Sequence, residues 1–243
     1  MHVLHDSLPA LRHPEAESAL VGLLLFRGEE SLRAAAQRAA AEAVVDHWRA
    51  SGPARAALSL NCLVSTDNRA LLSYEQWPSE RAVRDYLADG EATAAAAGLP
   101  GVTDHVEPVH YRLYRSSSWD TTRAPGCILI AAFELDEAGP DGPGAGRAWA
   151  DAVLDSLDAA HAAGDAPEGA LGAHFHISAD GRHVLNYAEW TSEEAHAAFM
   201  VGAQRRQALG RVGGMPTKTS PGNSRYRLFR ALSAAPGGRP ATA

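Results

Sequence analysis

The sequence predicts an α+β protein built from two tandem ferredoxin-like repeats, each running β-α-β-β-α-β and packed together as an intramolecular dimeric α/β-barrel. Three observations lead there. First, Ala57 through Leu87 can be laid on Ala170 through Met200 without a gap, at a constant offset, with about a third of the positions identical. Asp67, Arg69, Leu72, Tyr74, Trp77, Ser79, Glu80 and Ala82 fall on Asp180, Arg182, Leu185, Tyr187, Trp190, Ser192, Glu193 and Ala195. Second, apolar periodicity alternates between strand-like and helix-like along each repeat. Third, the turn and cap residues fall at matching places in the two copies.

The elements follow in order. The first strand of each repeat is the apolar run ending at Phe26 or at Phe133. A helix follows over 30–50 and 146–163, mostly Ala on its apolar side, with Leu32, Val44, Val45 and Trp48, or Trp149, Val153, Leu154 and Leu157, at helical spacing. A hairpin comes next. It turns at Thr66-Asp67-Asn68-Arg69 and at Ala179-Asp180-Gly181-Arg182, where Asn and Gly tolerate the positive φ of a tight turn. Ser79 and Ser192 then cap a second helix with acidic residues in its first turn. The last strands contain Tyr111-Arg-Leu-Tyr-Arg115 and Tyr226-Arg-Leu-Phe-Arg230. The expected boundaries are 18–115 for repeat 1, 116–125 for a linker, 126–232 for repeat 2 and 233–243 for a disordered tail, with 138–146 an extra Gly/Pro-rich loop. One face of such a sheet is covered by helices, and the other needs a partner. A second copy in the same chain supplies one, so a monomeric pseudo-dimer or a homodimer is expected.

Composition narrows the function. The formal net charge is -7 over 243 residues, and no Lys/Arg run suggests a nucleic-acid or membrane-surface partner. Cys62 and Cys127 sit in apolar runs without metal spacing and read as buried free thiols of a reducing cytosol. The apolar stretch 20–26 is too short to span a bilayer. A cytoplasmic protein is expected.

The chemistry-bearing residues gather in repeat 2. Side chains alternate across a strand. His174, His176 and Ser178 therefore share one face of one hairpin strand, and Asn186, Ala188 and Trp190 one face of the other. Phe175, Ile177, Leu185 and Tyr187 are expected in the sheet–sheet core, which turns the polar set toward the helices, with His196 and Phe199. Imidazoles, a carboxamide and an indole around one cavity suit an aromatic polyphenol. The bland alternative makes Trp77 and Trp190 core aromatics of the fold. The histidines offer no third ligand at metal spacing, so no metal site is expected.

The run His176-Ile-Ser-Ala-Asp-Gly-Arg-His-Val-Leu-Asn-Tyr-Ala-Glu-Trp190, continuing Thr-Ser-Glu-Glu-Ala-His196, resembles the antibiotic biosynthesis monooxygenase family. It is similar in particular to the small anthrone oxygenases of aromatic polyketide pathways. The resemblance implies oxidation of a phenolic or anthrone-type polyketide intermediate to a quinone by O2, without metal, flavin or haem. It implies catalytic roles for Asn186, Trp190 and either His176 or His196, where the family often has Tyr at the place of His196. His174, Phe199 and one of Arg205, Arg206 and Arg211 become candidate substrate contacts. A polyketide cyclase and a non-catalytic shielding partner remain the alternatives. Repeat 1 departs from the pattern, with Ser73, Leu63 and Val83 at the places of Asn186, His176 and His196. Trp77 stays, and Asn61 and Glu75 retain some polarity, so one working site is expected, in repeat 2.

Overall fold

The structure, a computed structural model, describes residues 3–6, 11, 15–51, 56–89, 99, 101–135, 144–202, 205, 217–219 and 223–234. It is α+β with antiparallel strand pairing. The chain divides into two compact units, 1–111 with 227–243, and 112–226.

Unit 1 contains β1 (Val3–Asp6), β2 (Ser18–Leu25), α1 (Glu30–Ser51), β3 (Ser59–Ser65), β4 (Ala70–Trp77), α2 (Glu80–Ala88) and residues 104–111 of β5 (Asp104–Ser118). Residues 227–234 of β10 (Ser224–Ala234) complete it. Its strand order is β1-β10-β3-β4-β2-β5. Alternation puts Leu60, Cys62, Leu71 and Trp77 on one face, where Ala40, Ala41, Val45 and Trp48 of α1 and Val83 of α2 cover them. Buried Gln37 ties α1 to the hairpin through the carbonyls of Ser65 and Ala70, at 3.1 and 2.7 Å.

Unit 2 contains residues 112–118 of β5, β6 (Cys127–Leu135), α3 (Ala145–Ala163), β7 (Ala170–Ser178), β8 (His183–Trp190), α4 (Glu193–Val201), β9 (Thr217–Thr219) and the start of β10. Its strand order is β5-β7-β8-β6-β9, with β10 also paired to β6. Trp149, Val153 and Leu154 of α3 pack on Ala173, Phe175, Ile177 and Val184.

The repeated turn and cap residues do the same physical work in each unit. Ser65 Oγ donates to Asp67 and accepts from the Ala70 amide, and Ser178 Oγ does so with Asp180 and the His183 amide. Asn68 and Gly181 take the positive φ, 58° and 74°. Ser79 and Ser192 accept from the Ala82 and Ala195 amides, as expected of N-caps. Both cysteines are free and buried, and burial pushes the Cys62 thiol up to about 12.

Some expectations need correction. The start of the expected linker is strand, because β5 runs to Ser118 and unit 2 holds it. Asp151, Asp155 and Asp158 recur on one side of α3 and hold the segment 114–119. Arg115 meets Asp151 and Asp155 at 3.0 and 2.6 Å, and Asp158 accepts from Ser117 Oγ and Trp119 Nε1 at 2.9 Å each. Trp119 also stacks on His161. Ser233 and Ala234, placed in the expected tail, close β10 against Leu4 and Val3 of β1. β1 and β9 are additions the hairpin pattern does not foretell; most of 138–146 lies outside the described residues.

Candidate functional site

The site is built on the helix-covered face of unit 2. Cross-strand partners share a face. β8 pairs Asn186 with Phe175 of β7 and with Ala131 of β6, and Ala188 with Ala173 and Leu129. Phe175 lies against α3, its ring 5.2 Å from that of Trp149. Asn186, Ala188 and Trp190 therefore face the helices, as expected. From above, α4 brings His196 and Phe199 to the Trp190 indole, each ring centroid at 5.2 Å. From the side, β10 pairs Arg225 with Leu129 and places its guanidinium on the same face. Arg225 Nε donates to His196 Nδ1 at 2.8 Å.

The two hairpin histidines are not part of this group. His174 pairs with Tyr187 and His176 with Leu185, so both lie on the opposite face of the sheet. The expectation that they share the helix side with Asn186 and Trp190 fails. Alternation fixes parity only within a strand, and the register pairs Phe175, not His174 or His176, with Asn186. Phe175 and Ile177, expected in a sheet–sheet core, pack instead under α3. His176 is fully buried, and Nδ1 lies 3.1 Å from its own strand's His174 carbonyl. Burial first, then the neighbouring His174, pulls its pKa down to about 3. His174 lies 2.8 Å from Ser116 Oγ and 3.4 Å from the Glu189 carboxylate.

The helix-side group carries unanswered polarity. Asn186 Oδ1, Trp190 Nε1 and His196 Nε2 are all buried without a hydrogen-bond partner among the described residues. A buried donor or acceptor left unmade costs about 1–3 kcal/mol, so three around one aromatic-walled patch point to a ligand that answers them. His196 is 2% exposed, and burial followed by the Arg225 charge lowers its pKa to about 4. It is a neutral imidazole at neutral pH. Of the three arginine candidates, Arg205 is described and part-buried, and Arg206 and Arg211 lie outside the described residues.

Sequence reasoning missed Arg225. It sought the cation near the end of the second helix, whereas the cation stands on the last strand. The available signal was its position next to Tyr226 in the repeated Tyr-Arg-Leu motif, which alternation turns to the other face. In unit 1 the matching place on the last strand belongs to His110, paired with Leu20, and Val83 replaces His196. Ser73 and Trp77 face the helices there, while Asn61 pairs with Tyr74 on the other face. Trp77 meets Tyr86 at 4.9 Å, as Trp190 meets Phe199. Among the described residues no group of three His, Cys, Asp or Glu could hold a metal ion. No described helix is long and apolar enough to cross a membrane.

Comparison with known proteins adds the fold's relatives. No family model matches the chain, and no curated protein does. Among solved structures, an anthrone oxidase-like protein is similar over 96% of this chain and 97% of its own, with a TM-score of 0.62 and 14% identity. A candidate monooxygenase from Lactobacillus acidophilus covers 90% and 96%, with a TM-score of 0.51 and 13% identity. Another, from Fusobacterium nucleatum, covers 90% and 94%, with a TM-score of 0.53 and 8% identity. The chain therefore has the fold of anthrone oxidase-like and monooxygenase-like proteins.

Proposed function

We propose that the protein is a cofactor-independent monooxygenase that oxidises a phenolic or anthrone-type aromatic polyketide intermediate to a quinone, with O2 as co-substrate. The observation that supports it is the helix-side group of unit 2, an aromatic wall with buried polar atoms on Asn186, Trp190 and His196 that have no partner among the described residues. Asn186 and Trp190 lie four residues apart on one strand, about 13 Å along it. That spacing suits a fused-ring ligand better than a single ring.

The chemistry balances without a further reductant. An anthrone methylene loses a proton, and the resulting delocalised carbanion gives one electron to O2. The two radicals couple to form a C–O bond. The peroxide takes up a proton, the second C–H proton leaves, and the O–O bond breaks to give a carbonyl and water. The chain's contribution is to hold the ring against Trp190 and Phe199 and to offset negative charge as it grows on oxygen. A preorganised donor in a dry site does this far better than water, because it need not reorient during the reaction.

The test is oxygen uptake with 1,8-dihydroxyanthrone, using protein dialysed against a chelator. Uptake above the spontaneous rate, matched by quinone formation and by transfer of oxygen label from O2 into the new carbonyl, is expected. No uptake above the spontaneous rate would remove the oxygenase reading. Cyclisation of a linear polyketide without O2 would put a cyclase in its place.

A further inference from the structure

The contact between Arg225 and His196 fixes where the imidazole proton sits. Arginine stays protonated in proteins, and its Nε carries a hydrogen. At 2.8 Å that hydrogen lies on His196 Nδ1, so Nδ1 holds a lone pair. A neutral imidazole with a lone pair on Nδ1 has its proton on Nε2. His196 Nε2 is buried without a hydrogen-bond partner among the described residues. It is therefore a donor waiting for an acceptor. Trp190 Nε1, also buried and unpartnered, can only donate. Two N–H donors on neighbouring rings, with the Arg225 guanidinium behind one of them, make a setting for negative charge on oxygen.

We propose that Arg225 is a positioning residue that locks His196 in its Nε2–H form, so that His196 donates to an ionised phenol or enol oxygen of the substrate and is not the base that deprotonates it. This rests on the reading of the helix-side face of unit 2 as the aromatic ligand site. The substrate class is thereby narrowed to aromatic ligands bound as the anion, with Asn186 Oδ1 left to accept from a neutral hydroxyl of the same ligand. The Nδ1 side of His196 cannot take a proton without facing Arg225 Nε–H donor to donor. That geometry excludes the acid–base role that the histidine's identity suggests.

Two measurements test it, neither depending on turnover. The first is the ¹⁵N spectrum of histidine-labelled protein near neutral pH, with His196→Gln used to assign the His196 signals. The expected result is the Nε2–H tautomer, converting to a mixture in Arg225→Gln. An Nδ1–H tautomer in the unaltered protein overturns the proposal. The second is absorbance titration of bound alizarin, whose colour reports its ionisation. The bound phenol should be at least tenfold more acidic than free alizarin, with most of that preference lost in Arg225→Gln and partly restored in Arg225→Lys. His196→Gln, which keeps an N–H donor, should retain the preference, and His196→Ala should lose it. Alizarin bound with unchanged acidity overturns the anion assignment, and no binding at all overturns the site with it. If tautomer and acidity behave as expected but 1,8-dihydroxyanthrone drives no oxygen uptake, the oxygenase reading fails and the donor role of His196 stands.

Discussion

At the scale of single residues, two of the buried histidines, His176 and His196, tie stability to pH. Both have pKa values lowered by burial, His176 to about 3 and His196 to about 4. In the unfolded chain each returns to about 6.5. Protons therefore bind the unfolded chain preferentially, and stability falls as pH drops below about 6.5 and on toward the folded values. Each histidine contributes a slope of about 1.4 kcal/mol per pH unit within that window. Urea unfolding at a series of pH values from 6 down to 4.5 should show this loss, and His176→Gln should remove about half of the part the two share. An unchanged slope in that variant would mean that His176 is already charged in the folded protein. The shared face of Asn186 and Trp190 was legible, because alternation within one strand decides it. Which face His174 and His176 occupy was not, because alternation fixes parity within a strand and only the register fixes it between strands. Arg225 escaped for a related reason, since a strand carrying several arginines does not say which one meets a helix.

At the scale of elements, the sequence was most informative where local chemistry is sufficient. The hairpin turns and N-caps recur as the same Ser, Asp and Arg residues in both units and form the same hydrogen bonds. Ser192→Ala should cost about 1 kcal/mol by removing the cap of α4, with a matching drop in the thermal midpoint. Gly181 sits at φ 74°, where a Cβ meets no other atom, so Gly181→Ala isolates the backbone term at about 1–2 kcal/mol. No measurable change in that variant would show that the turn relaxes to another type. The segment 116–118 was harder to read. Three serines look like a linker, yet Ser116 and Ser117 find partners in His174 and Asp158, residues distant in sequence. A polar segment whose partners are non-local carries no local sign of order.

At the scale of the whole chain, each of the two units serves as a control for the other. Each unit keeps the tryptophan that ends its second hairpin strand, and each packs it on an aromatic residue of the following helix. The tryptophan therefore serves the fold in both copies, and Trp77→Ala and Trp190→Ala should each cost roughly 3–5 kcal/mol, the usual penalty for removing a large buried aromatic. What differs is the polar set. Unit 2 has Asn186, His196 and Arg225, where unit 1 has Ser73, Val83 and His110. Oxygenation needs preorganised polar groups around the developing charge, and losing one such donor typically costs about 2.7–4 kcal/mol of barrier, on the order of a hundredfold or more in rate. Asn186→Ala, which removes the Nδ2 donor together with Oδ1, should lower turnover by about that factor and hardly move the melting temperature, because Oδ1 has no hydrogen-bond partner among the described residues to lose. Ser73→Ala should leave turnover near the unaltered rate. Oxygen uptake and thermal melting, measured side by side on the two variants, separate the cases. Equal rate losses would mean that both copies work. A large fall in melting temperature for Asn186→Ala would make that carboxamide a structural group. A loss confined to Asn186→Ala, at unchanged stability, is the result expected if one copy kept the chemistry and the other kept only the fold.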